Sequence, residues 1–222
     1  MKGFKQFRGV FEEKNKMFTI NQVQGKKVYE EKLVKGNNVE YRQWDPMRSK
    51  LCSYLIKGGV QFPFNDGNVV LYLGASTGTT VSHVSDVVGK NGIVFAVDLA
   101  PRVLRNLVFV AEERNNIAPI LANAGDVMSF ADKVCQADIV YQDVAQKAQV
   151  DIFLRNFELF LKQNGFGYLA IKARSIDVTQ KPNIIFDMVK RKLKEQKNLE
   201  LVDTRNLDPF QKDHMMFVVK KK

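Results

Sequence analysis

The run Gly74-Ala75-Ser76-Thr77-Gly78-Thr79-Thr80 gathers the residue types best suited to hold a ligand. Its glycines let a backbone turn tightly and approach a bound group, and a helix starting behind them offers unpaired N–H donors to an anion. Asp98 closes the next apolar run, twenty residues past the second glycine (98 − 78 = 20). A carboxylate in that place accepts hydrogen bonds from ribose hydroxyls. Gly74, Ala75, Ser76, Gly78 and Asp98 together predict a nucleotide-like ligand. NAD is one candidate, but the spacing is not G-x-G-x-x-G. Thr79 and Thr80 place hydroxyls where a dinucleotide fold needs close helix packing. A sulfonium cofactor carrying an amino-acid carboxylate, S-adenosylmethionine, suits the turn better.

The same residues also spell G-x-S-x-G, the nucleophile elbow of α/β-hydrolases, and Ser76, Asp143 and His214 follow one another in hydrolase order. That elbow normally comes after several sheet strands, whereas this turn follows the first strand of an alternating pattern. Neither Asp98 nor a strongly basic charge has a role in an esterase. The esterase stands as the alternative enzyme, and a non-catalytic RNA-binding subunit as the alternative of another class.

Elements that alternate between strand and helix must position these residues. Asn68 to Leu73 runs as a buried apolar strand into Gly74, and a helix follows to about Val88. Strands are expected at Ile93 to Asp98, Pro119 to Ala122, Asp138 to Gln142 and Gly167 to Ile171. Helices are expected at Arg48 to Gly58, Pro101 to Asn115, Lys147 to Gln163 and Pro182 to Gln196. Leu199 to Asp203 and Met215 to Val219 read as a closing hairpin. The fold class is α/β: a Rossmann-like, mostly parallel sheet with one antiparallel strand at or near the edge. Before Trp44-Asp45-Pro46 the pattern is different, with short strands at Phe7 to Phe11, Met17 to Ile20, Lys27 to Leu33 and Val39 to Trp44. Asn21, Gly25 and Gly36-Asn37-Asn38 supply their turns. The expected division is a small β-rich domain over 1–45 and a Rossmann-like domain over 46–222.

Composition narrows the partners. Among 222 residues, Lys+Arg 34 against Asp+Glu 24 gives a net charge of +10, which attracts nucleic acid first and anionic membrane second. Hydrophobic residues at 45% exclude global disorder. Cys52 and Cys135 form no CxxC pair, so neither a disulfide scaffold nor a metal ribbon is expected. Met1-Lys2-Gly3-Phe4-Lys5 lacks the apolar run of a signal peptide, and no stretch is long enough to span a bilayer. A cytoplasmic location is expected, or a nucleolar one in a eukaryote. Lys2, Lys5, Arg8, Lys26 and Lys27 offer either a phosphate-facing or a solvated strand face. Lys190-Arg191-Lys192, Lys194 and Lys197 pose the same choice on a helix. Arg102, Arg105, Lys147, Arg174 and Lys181 fall near strand carboxyl ends, where they could guide a phosphate backbone. Phe62, Phe64 and Phe186 are candidates for an exposed partner-binding patch or for the core. Lys220-Lys221-Lys222 reads as a frayed tail.

Leu73 to Asp86, with its Ser82-His83-Val84-Ser85-Asp86 core, closely resembles the cofactor motif of the fibrillarin family. Arg48-Ser49-Lys50-Leu51, Asp143-Val144-Ala145-Gln146, Ile171-Lys172-Ala173 and Lys212-Asp213-His214 also resemble that family, in order, from about Trp44 onward. No glycine/arginine-rich extension precedes them, as in archaeal members. The resemblance implies 2′-O-methylation of rRNA ribose, and of tRNA, from S-adenosylmethionine within a box C/D particle. The implied partners are guide RNA, target RNA, a Nop-family scaffold protein and a kink-turn-binding, ribosomal-protein-like subunit.

By that resemblance Thr79 and Thr80 lie at the cofactor, Asp98 and Leu99 at its ribose and adenine, and Asn123 and Ala124 beside the adenine. Asp143, Val144, Ala145 and Gln146 close its methionine side. The family's Lys-Asp-Lys set with a fourth residue maps onto Lys50, Asp143, Lys172 and His214, with Asp213 next to the last. Lys172 would be the base, its pKa lowered by a neighbouring ammonium, while Lys50 steers the ribose or phosphate and Asp143 orients both. Taken singly, Lys172 also suits a solvated strand end, Lys50 a surface helix and His214 a structural histidine. His83 suits a packing role. The family usually has Glu at Asp98, Asp-Ala at Asn123-Ala124, and often Pro at Lys147. Asn123 keeps an oxygen acceptor but loses the charge, which implies weaker cofactor binding.

Overall fold

Short strands joined by turns make the first part of the chain a sheet, with strict alternation of burial over Glu40–Trp44. In the computed structural model, which describes residues 2–3, 7–36 and 38–222, five strands form this layer. They are β1 Lys2–Gly3, β2 Val10–Glu13, β3 Lys16–Ile20, β4 Leu33–Lys35 and β5 Glu40–Trp44, in antiparallel order β1-β2-β3-β5-β4. Lys14 and Asn15, at φ +50° and +62°, make the tight turn between β2 and β3. The strand expected over Lys27 to Leu33 is absent. Glu31 is buried there, and its carboxylate accepts the amides of Val28 at 2.9 Å and Tyr29 at 2.8 Å, which curls the segment and delays pairing until Leu33. Lys5, Asn37 and the side chain of Lys2 lie outside the described residues; Arg8, Lys26 and Lys27 are exposed.

The second layer is a seven-stranded sheet. Its strands are β6 Val69–Leu73, β7 Ile93–Asp98, β8 Ile117–Leu121, β9 Ala137–Gln142, β10 Leu161–Lys172, β11 Leu199–Asn206 and β12 His214–Lys221. Helices α1 Lys50–Ile56, α2 Thr79–Val88, α3 Pro101–Glu113, α4 Gln149–Phe160, α5 Ala173–Ile176 and α6 Pro182–Lys194 connect and cover them. The order is β11-β12-β10-β9-β6-β7-β8, in which β12 pairs antiparallel with both its neighbours and every other pair is parallel. The near-continuous apolar β6 and β9 sit centrally, as strands covered on both faces must. Phe62, Phe64 and Phe186 are all buried, so no exposed patch is built from them. Lys220 and Lys221 are no frayed tail. They extend β12, and Lys221 Nζ donates to the carbonyls of Glu158 at 2.8 Å and Leu161 at 3.0 Å, closing the end of α4.

The two layers share a core. Phe7, Val10, Met17 and Trp44 of the first pack with Leu51, Tyr54, Tyr72 and Val84 of the second. A buried ionic cluster crosses the same seam. Arg42 on β5 bonds Glu31 and, on α2, Asp86, both at 2.7 Å, and Arg114 reaches Asp86 at 3.2 Å. His83 is fully buried beside it, bridged between Thr19 at 2.8 Å and Tyr29 at 2.7 Å and stacked on Trp44. That confirms a packing role.

Burial, reinforced by the charges of Arg42 and Arg114, holds the His83 imidazole well below its ordinary pKa. A depressed folded value means stability present above the unfolded histidine value, near 6.5, and lost below it, because the unfolded chain takes up a proton that the folded one refuses. Stability should therefore fall by up to about 1.4 kcal/mol per pH unit between pH 6.5 and 5 from this residue. Urea titrations across that range should show the slope, and a flat profile would contradict it.

Candidate active site

Loops leaving the carboxyl ends of β6, β7, β8, β9 and β10 converge at one edge of the large sheet, where open α/β sheets bind ligands. Gly74 has φ +84°, and a Cβ on it would come within 2.2 Å of the Asp143 carbonyl oxygen. Only glycine lets the turn after β6 pass so close to the loop after β9. Ser76 also takes a left-handed conformation, φ +51°, and its N–H donates to Asp98 Oδ2 at 2.8 Å. Asp98 Oδ1 accepts the Ala100 amide at 3.0 Å. The carboxylate is thus held across the turn, with lone pairs left for a ligand. Gly78 starts α2 at φ +93°, and no side chain caps the helix, so its first N–H groups remain available.

Thr79 and Thr80 open α2 directly behind this turn, and Thr80, buried, donates from Oγ1 to Ser49 Oγ at 3.0 Å. Ser49 is the N-cap of α1, accepting from the Cys52 amide. The Thr80–Ser49 bond therefore locks the first turn of α2 to the start of α1, where Lys50 stands. Lys50 Nζ reaches Asp143 Oδ2 at 2.7 Å, with both side chains three-quarters buried or more. Lys172 ends β10 opposite His214, the first residue of β12. Among the described residues no carboxylate lies within ion-pair distance of the Lys172 ammonium.

The His214 imidazole sits in the field of Lys50, Asp143 and Lys172 together. Burial holds its pKa below the ordinary histidine value. The two lysines add to that shift, while the Lys212 carbonyl, 2.6 Å from Nδ1, and Asp143 oppose it. Asp213 turns away to Arg174, at 3.2 Å. The fold thus brings Lys50, Asp143, Lys172 and His214 into one cluster and leaves Asp213 outside it. Asp143 engages Lys50 and His214 engages the Lys212 carbonyl, so Ser76, Asp143 and His214 form no hydrolase triad.

A cavity of about 360 Å³ lies beside this cluster, within the range of small-ligand sites. Gly74, Ser76, Asp98 and Leu99 form one side, and Asp143, Val144, Ala145 and Gln146 the other. Ala75 is buried within the turn. Ala124 lines the cavity, whereas exposed Asn123 spends its side-chain oxygen on the Gly125 amide at 2.9 Å. Val97, Ala100 and Ala122 also line it and were not singled out from sequence. Their signal was adjacency to strand ends, since small apolar residues carry no other mark. The carboxylate, the uncapped helix and the glycine cradle fit S-adenosylmethionine, with its ribose diol and amino-acid carboxylate.

The family model Fibrillarin matches residues 1–222. The chain is 46% identical over 203 residues to the "Fibrillarin-like rRNA/tRNA 2'-O-methyltransferase" of Pyrococcus horikoshii, covering 91% of this chain and 88% of the relative. A solved structure of Aeropyrum pernix fibrillarin with natively bound S-adenosyl-L-methionine matches at TM-score 0.89 and 40% identity, over 98% of this chain and 96% of that one. A fibrillarin/Nop5p complex matches at TM-score 0.89 and 35% identity, over 97% and 98%.

Proposed function

The chain belongs to the fibrillarin family, and on that premise we propose how its residues divide the work of the reaction. It is an S-adenosyl-L-methionine-dependent 2′-O-methyltransferase of rRNA and tRNA. When bound, S-adenosyl-L-methionine supplies an electrophilic methyl group on a sulfonium. Asp98 accepts the donor's ribose hydroxyls, the Gly74–Gly78 turn and the start of α2 receive its carboxylate, and Leu99 and Ala124 flank its base. Asp143 to Gln146 close the opposite wall.

Lys172 takes the proton from the acceptor 2′-hydroxyl as that oxygen attacks. Lys50, paired with Asp143 at 2.7 Å, stabilises the charge developing on the oxygen. His214, held neutral by its surroundings, fills the site without adding a third positive charge. Positioning and electrostatics supply the catalysis, since the chemistry is an in-line displacement. The observation that carries this reading is the partly buried Lys50–Asp143 pair sharing one field with Lys172 at the cavity edge.

A Nop-family protein is the scaffold partner. Box C/D guide RNA and a kink-turn-binding subunit complete the particle in this reading. Exposed Arg102, Arg105, Lys147, Arg174 and Lys181 follow the carboxyl ends of parallel strands and support an RNA approach from that side. Transfer of a radiolabelled methyl group to guide-matched RNA, with and without the partner proteins, tests the proposal. Equal labelling of unguided RNA or of protein would overturn the guided reading.

Gly74→Ala tests the cofactor cradle. Strain of about 1–3 kcal/mol at a left-handed, crowded position corresponds to a roughly ten- to hundredfold weaker Kd for the donor. Titration calorimetry with S-adenosylhomocysteine should show it, and an unchanged Kd would show that the cradle is not used.

A further inference from the structure

From the hydrogen bonds around the end of β10 we infer that Gln149 is a positioning residue for Lys172, its side-chain amide standing in for a missing strand neighbour. The inference rests on the proposed role of Lys172 and adds a residue that neither motif nor charge marks.

Strand β9 pairs with β10 only as far as Gln142 opposite Leu169. From Ala170 to Lys172, β10 keeps β12 on one side and has lost β9 on the other. The main chain of Lys172 faces the vacated side, because the next amide, that of Ala173, already donates to Asp213 O across the β12 edge at 3.0 Å. Even partly buried backbone groups left in that state cost stability.

Gln149, fully buried in the first turn of α4, fills the gap. Its Oε1 accepts the Lys172 N–H at 3.2 Å, and its Nε2 donates to the Lys172 carbonyl at 3.3 Å. A primary amide offers one acceptor and a donor side by side, the same pair a neighbouring strand presents. The second Nε2 hydrogen goes to the Gln146 carbonyl at 3.0 Å, and the Gln149 carbonyl accepts Gln142 Nε2 at 2.6 Å. The amide therefore ties the backbone of Lys172 to the loop that carries Asp143 and Gln146. Its exchange for an apolar side chain would free the lysine's backbone without touching substrate or donor.

Two variants test this in the full chain. Gln149→Leu keeps the side chain's size and removes its polar atoms. Its expected signature is an increase of about tenfold or more in Lys172 amide hydrogen exchange, with Leu169 exchange unchanged. In the particle assembled with guide RNA, methyl transfer should slow by about tenfold or more while the donor Kd stays within about threefold.

Gln149→Glu retains one acceptor but, when ionised, sets an oxygen against two carbonyls. Protonation restores a donor, so its activity relative to the parent protein should rise as pH falls. Parental Lys172 exchange and parental turnover in Gln149→Leu would overturn the inference. So would general opening of β10 with donor affinity lost in step, or a Gln149→Glu ratio independent of pH. The proton-accepting role of Lys172 fails separately, if Lys172→Ala keeps its turnover.

Discussion

Lys172→Ala is expected to lower the rate of methyl transfer roughly 10²–10⁴-fold, the span that a positioned base contributes, with donor affinity retained. The retention follows from geometry. Lys172 stands at the tip of β10, outside the cavity lined by Gly74, Asp98 and Asp143 to Gln146. The loss follows from its surroundings: Lys50 is tied to a carboxylate at 2.7 Å, whereas Lys172 has no such partner among the described residues and is the amine left to engage the acceptor hydroxyl. Lys172→Arg separates the base from the charge. Arginine keeps the positive field but holds its proton throughout the accessible pH range, so it should be as inactive as alanine. Single-turnover transfer to guide-matched RNA, paired with calorimetry for the donor, measures both quantities. Turnover preserved in the alanine variant would remove Lys172 from the chemistry, and activity preserved in the arginine variant alone would leave it only an electrostatic part.

Arg42→Met should cost about 3–5 kcal/mol of folding stability, as expected when one partner of a buried ion pair is removed and its opposite charge stays behind. Arg42 is fully buried and holds both Glu31 and Asp86 at 2.7 Å, as well as donating to Ser82 Oγ at 3.0 Å. Without it two carboxylates share an apolar seam with only Arg114, at 3.2 Å from Asp86, to compensate. The pH dependence gives the prediction a second handle. Burial pushes Glu31 up, but the Val28 amide and Arg42 outweigh it and leave its carboxyl below the ordinary range. In the parent protein that stability is present above the unfolded value, near 4.5, and is lost as pH falls through the folded one. In the variant Glu31 and Asp86 lose the guanidinium that favours their ionised forms, so they take up protons at higher pH than in the parent, and the difference between the two proteins should shrink as pH falls from 7 to 4. Urea denaturation at both pH values measures it. A loss below about 1 kcal/mol at pH 7 would mean that the methionine packs well enough to replace the cluster.

The sheet was largely legible. Ile93–Asp98 has the bounds its apolar run predicts, and most other strands and helices of the α/β part differ by a few residues at their ends, but β10 begins at Leu161, inside the helix expected to run to Gln163 and well before the strand start expected at Gly167. Hydrophobic period is a local property, and a strand covered on both faces announces itself. Over Lys27 to Leu33 the period misled, because one buried carboxylate took the amides that a ladder would have used. On β5 the alternation was correct, yet the inward face carries Glu40 and Arg42 beside Trp44. Polarity by itself would have turned those two outward.

Sequence alone determined the glycine turn, the acidic end of β7 and the order of the four polar residues at the sheet edge. Those depend on residue type and on spacing along the chain. Tertiary structure decided that Thr80 bonds Ser49, that Asp143 pairs with Lys50, and that Asp213 turns to Arg174. It also decided that Gln149 completes the backbone of Lys172. The reason is that a hydrogen-bonding group commits to whichever partner the packed fold presents within about 3 Å. That distance is set by strand register and loop closure between segments far apart in the chain.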